Sequence, residues 1–117
     1  EAFATVFGDP TDFQLGIGST VTAGTSQPFS EAFGSEFALT DLVLQNPGGD
    51  IGRVEIARDG TVVFASALEN FRDFDLHFVA PYIFDAGQSL TMTVECTTPG
   101  PSNPGCAVSA SFAGFTK

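Results

Sequence analysis

Glycine and proline interrupt this chain about every eight to twelve residues, a spacing typical of short strands joined by turns. Thirteen Gly and seven Pro carry this punctuation. It leaves no room for a long helix, and no segment repeats apolar residues at i, i+3, i+4 and i+7 over three turns. The runs between breaks alternate instead. Val54 and Ile56 alternate with Arg53, Glu55 and Ala57, and Leu90, Met92, Val94 and Cys96 alternate with Thr91, Thr93 and Glu95. Phe74, Leu76, Phe78 and Ala80 alternate with Asp73, Asp75, His77 and Val79, and Val108, Ala110 and Phe112 alternate with Ala107, Ser109 and Ser111. Period-two alternation marks strands that are buried on one face and wet on the other.

The pattern predicts an all-β chain, an antiparallel β-sandwich of jelly-roll or Greek-key type with about eight to nine strands. Strands are expected at 2–7, 12–17, 19–23, 36–45, 52–58, 61–67, 73–80, 89–96 and 107–115. Asp59-Gly60 between two runs predicts a two-residue hairpin turn. A second hairpin is expected between 89–96 and 107–115. In Phe37-Ala38-Leu39-Thr40-Asp41-Leu42-Val43-Leu44 the apolar set changes parity at Thr40-Asp41. A β-bulge there would keep Phe37, Leu39, Leu42 and Leu44 in one core; the alternative is a central strand buried on both faces. Architecturally, the stretch from Phe37 to Cys96 resembles the middle of jelly-roll modules in exported bacterial proteins, on the runs Leu68-Glu69-Asn70-Phe71-Arg72-Asp73 and Pro81-Tyr82-Ile83-Phe84-Asp85-Ala86-Gly87-Gln88.

With 117 residues, a single sandwich domain over 1–117 is expected. Fourteen Asp and Glu stand against four Lys and Arg, a net charge of −10. Nucleic acid requires clustered cations, and anionic membrane surfaces do too, so neither is an expected partner. No apolar run approaches the length of a membrane helix.

Cys96 and Cys106 flank a loop rich in Pro and Gly. Their position at the ends of two strands predicts a disulfide, and with it an extracellular or cell-envelope location. Catalytic signals are poor: His77 is the single His, and no nucleophile elbow or phosphate-cradling loop occurs. A non-enzyme without a cofactor is expected.

Metal sites have two sources of ligands. Asp73, Asp75 and His77 share one face of a strand, with alternate residues about 7 Å apart. Asp9 with Asp12, and Asn46 with Asp50, sit in loops that could offer oxygens to calcium; Asx turns are the ordinary alternative.

The thirteen Phe exceed what one small core is expected to hold. Phe3, Phe7, Phe29, Phe33, Phe71, Phe84 and Phe115 fall on the first strand, near strand ends or in loops, and so are candidate contact aromatics. From this follows the leading expectation: an exported module working through protein contacts, as a self-associating subunit, a surface partner or an adhesive domain. The alternative is a module that binds carbohydrate or another ligand, with calcium or without. The absence of Trp and the single Tyr weigh against an aromatic sugar platform.

Overall fold

The computed structural model describes residues 9–100 and 104–116. They form ten strands: β1 (Asp9–Leu15), β2 (Val21–Thr22), β3 (Ser26–Ala32), β4 (Phe37–Gln45), β5 (Ile51–Arg58), β6 (Thr61–Ala67), β7 (Asp73–Phe84), β8 (Ser89–Thr98), β9 (Gly105–Cys106) and β10 (Ser109–Thr116). A 3-10 turn covers Leu68–Asn70. The expected strand 2–7, with Phe3 and Phe7, lies outside the described residues.

Two four-stranded sheets, ordered β1-β10-β4-β7 and β3-β8-β5-β6, are accompanied by a β2-β9 ribbon. Every pairing is antiparallel. With the two short strands set aside, this is the strand order of a jelly roll, as the alternation predicts. Leu39, Leu42, Leu44, Val54, Ile56, Leu90, Met92, Val94 and Phe112 are all essentially inaccessible. They come from both sheets, so the core is the layer between them.

The β5–β6 hairpin turns on Asp59-Gly60, both at positive φ (48° and 88°). The other expected hairpin does not exist. β8 pairs with β3 and β5 in one sheet, and β10 pairs with β1 and β4 in the other. In a jelly roll most connections cross between sheets, and neighbouring alternating runs cannot report whether the chain crosses over or turns back. The Cys96–Cys106 disulfide is formed, with Cα atoms 5.7 Å apart. It ties β8 to the β2-β9 ribbon rather than closing a hairpin mouth.

Three further boundaries differ from expectation. The strand predicted at 12–17 ends at Leu15, because Gly16 and Gly18 take positive φ and turn the chain, leaving Ile17 58% exposed. β3 has no alternation to reveal it; as an edge strand paired only with β8 it tolerates Pro28 and polar residues, and only Phe29 packs inward. β7 continues to Phe84, and Ala80 is exposed rather than buried.

The rings answer the question of surplus Phe. Phe13 stacks on Phe112 at 5.0 Å between centroids and Phe33 stacks on Phe37 at 4.8 Å, with Phe84 beside Phe33 at 5.2 Å. A second group joins Phe64, Phe71 and Phe74. Phe71 and Phe84 are buried, and Phe29 and Phe33 pack against the core. Of the candidate contact aromatics, these four therefore belong to the interior. Phe115 is half-buried at the end of β10.

Candidate functional site

The site grows from the bulge in β4. Asp41 pairs with Ala113 of β10, and Leu39 pairs with Gly114, so Thr40 is an extra residue in the ladder. On the other side Asp41 pairs with His77 and Leu39 with Tyr82, so β7 bows away over residues 78–81 opposite Thr40. Phe37, Leu39, Leu42 and Leu44 all remain in the core, which is the outcome that the parity change predicts. The consequence lies on the opposite face: Thr40 and Asp41 are both turned outward. Gly114 lets the backbones close up here, since a Cβ at that position would lie 2.0 Å from the Ala38 carbonyl oxygen.

Register then sets four residues in a row across the outer face: Asp12 of β1, Ala113 of β10, Asp41 of β4 and His77 of β7. The His77 Nδ1 lies 2.9 Å from Asp41 Oδ1, and the Thr40 hydroxyl donates to Asp41 Oδ2 at 2.9 Å. A carboxylate only accepts, so Nδ1 carries the proton and Nε2 is left as the second polar atom of the ring. The hydrogen bond from His77 holds the Asp41 carboxyl below its ordinary value; partial desolvation opposes this, and the Thr40 bond and the His77 charge reinforce it. Around the pair is an open depression of about 450 Å³, with Pro10, Ala113, Gly114 and Phe115 as its apolar lining and Thr11, Asp12, Thr40, Asp41 and His77 as its polar lining.

Asp73 and Asp75 stand exposed on the same strand as His77, but the imidazole bonds across the sheet to Asp41 rather than along the strand. Asp12 lines the depression; the side chain of Asp9 lies outside the described residues. Asn46 and Asp50 are fully buried. Asp50 Oδ1 accepts from the Gly100 N–H at 2.6 Å and Oδ2 from the Ala107 N–H at 2.9 Å. The Asn46 amide donates to the carbonyls of Leu68 and Asp50, at 2.8 and 3.1 Å, and its Oδ1 accepts from the Asp50 N–H. Their polar atoms are thus turned to backbone groups, mostly of distant loops rather than in a local Asx turn. Among the described residues no group of three or more His, Cys, Asp or Glu is placed to hold a metal ion. The residues that sequence reasoning missed are Thr40, Asp41 and Ala113. The parity change at Thr40-Asp41 was the available signal, because a bulge necessarily puts neighbouring residues on the wet face.

No protein-family model matches this chain. No curated protein matches it in sequence. In fold it is similar to the CBM36-1 domain of a multidomain xylanase from the hindgut metagenome of Trinervitermes trinervoides, at 13% identity over 93% of this chain and 99% of that domain, with a TM-score of 0.51. It is also similar to FLHE, at 16% identity over 94% of this chain and 100% of that one, TM-score 0.48. A family 35 carbohydrate binding module from an environmental isolate aligns at 14% identity over 80% of this chain and 69% of that one, TM-score 0.44. The likeness to the CBM36-1 domain is one of fold: the two share a β-sandwich.

Proposed function

We propose that this chain is an exported, non-catalytic β-sandwich module that binds neutral carbohydrate on the outer face of the β1-β10-β4-β7 sheet. The observation that carries the reading is the depression at the bulge, which mixes polar and apolar groups as a sugar does. Sugar hydroxyls both donate and accept, and the ring C–H faces are apolar. Each Asp41 oxygen already accepts one hydrogen bond and retains a lone pair for a second. The Thr40 and His77 bonds fix the carboxylate in orientation, so the ordering cost is met before the ligand arrives. Pro10, Ala113 and Phe115 supply apolar surface alongside.

The charge of the site supports a neutral ligand. Asp12 and Asp41 line the depression and, among the described residues, no Lys or Arg does so, while the chain as a whole carries −10. A uronate or sulfated glycan would meet repulsion there. The fold shared with the CBM36-1 domain is consistent with the reading, and the Cys96–Cys106 disulfide supports an extracellular location. A protein-contact role has less to stand on, because Phe29, Phe33, Phe71 and Phe84 serve the core.

Titration calorimetry against neutral and uronic oligosaccharides tests the proposal. Binding of a neutral oligosaccharide is expected, with Asp41→Ala weakening it by about tenfold, the equivalent of about 1.4 kcal/mol. Failure of every neutral glycan to bind, or an Asp41→Ala variant that binds as well as the wild type while remaining folded, overturns it.

A further inference from the structure

The outer face of the same sheet carries a second depression, also of about 450 Å³. Its lining includes Ile17, Ser19 and Thr20 from the turn after β1, Gln45 and Pro47 from the end of β4, and Ser109 from the start of β10. Gln45 and Ser109 are register partners, as are Asp41 and Ala113. The ladder between these two pairs is regular, so the facing edges of the depressions lie four residues apart along the strands, about 13 Å at the rise of an antiparallel strand. The pair Ser111 and Val43 lies between them, and Gln14 donates to the Ser111 hydroxyl at 3.4 Å. One face thus presents two hollows on a straight line along β10 and β4.

Two observations say what would occupy the second hollow. None of the described residues lining it is charged, so they offer amide and hydroxyl groups beside aliphatic surface and no ion pair. Ile17 is more than half exposed because Gly16 and Gly18 turn the chain, with Ser19 N–H closing the turn on the Gly16 carbonyl. That turn holds an aliphatic side chain at the rim of the hollow, outside the core.

We propose that the second hollow is a subsite for the same ligand, and that the ligand is an extended neutral polysaccharide lying along the strands across both hollows. This rests on the carbohydrate reading of the first depression. An extended β-1,4-linked chain matches a straight track; a helical α-1,4-linked chain does not.

Calorimetry with cello- and xylo-oligosaccharides from disaccharide to hexasaccharide, with maltohexaose as the helical comparison, tests the subsite. For one of the two β-linked series, affinity is expected to rise at least about tenfold with length, as a second contact site on one chain adds to the first. The double substitution Ile17→Ser with Gln45→Ala should remove that gain from length, whereas Asp41→Ala should weaken short and long oligomers alike. Equal affinity for short and long chains, a preference for maltohexaose, or an unchanged length dependence in the folded double variant overturns the subsite and leaves the first depression standing. Absence of binding by every oligosaccharide overturns both.

Discussion

Two aspartates, one at the bulge in the middle of β4 and one in the loop between β4 and β5, show how one residue type is put to different uses. Asp50, just beyond the strand, is fully buried, and both its carboxylate oxygens accept backbone N–H groups. Asp41, at the bulge, is about half exposed, and its partners are side chains, His77 and Thr40. The first carboxylate is sealed inside the fold, where no ligand reaches it. The second is oriented and still open to solvent. Sequence context puts Asp41 in a strand and Asp50 in a loop but does not say which of them is buried. What separates them is whether backbone donors or solvent surround the carboxylate.

The largest expected effect therefore comes from Asp50. Asp50→Ala takes the charged acceptor from the buried Gly100 N–H and the part-buried Ala107 N–H, at about 1–3 kcal/mol each. A loss of about 2–5 kcal/mol in a denaturant titration is expected, against no more than about 1 kcal/mol for Asp41→Ala. Equal losses for the two variants would remove the distinction between a structural and an available carboxylate.

The next effect is that of the disulfide, which closes the same loop that Asp50 pins. Cys96→Ser with Cys106→Ser is expected to cost about 2–4 kcal/mol. Because Asp50 holds Gly100 and Ala107 within or beside that loop, the two losses should not add. A combined loss equal to the sum, read from the same denaturant titration, would mean that the two pins act on separate parts of the molecule.

The same contrast explains what could be read from the chain. The sandwich was legible because one-sided burial imposes period two on Val54–Ile56 and Leu90–Cys96, and the bulge was legible because it breaks that period at Thr40. The β5–β6 turn was legible because Asp59-Gly60 suits positive φ at both positions. β3 was not, because an edge strand with one buried ring carries almost no periodic signal. The partner of β10 was not legible either, since pairing between sheets depends on which sheet each strand joins. At the site, His77 could be placed on a wet face by alternation. Its bond to Asp41 follows from the register between β4 and β7, which no local pattern specifies. The interior role of Phe33 and Phe84 was hidden for the same reason: both lie at strand ends, where alternation stops but the two sheets still meet.

The smallest effect concerns how Asp41 responds to acid. Its folded pKa lies below the unfolded value, chiefly through the hydrogen bond from His77. A depressed carboxylate stabilises the fold above its unfolded pKa, and that contribution is lost as pH falls through the folded value. The pair is exposed enough that screening keeps the contribution within about 1 kcal/mol. Asp41→Asn removes the charge while keeping the shape. The difference in Tm between wild type and this variant should be small and in favour of the wild type at neutral pH, and should shrink as pH drops below the ordinary carboxylate range. Asp50→Asn is the comparison that sharpens the result: it replaces one of two buried acceptors by a donor facing a backbone N–H, so it should be clearly destabilising at neutral pH. If instead Asp41→Asn lost as much stability as Asp50→Asn, the bulge carboxylate would be a structural group like its buried counterpart, and the argument for a ligand at that face would fall with it.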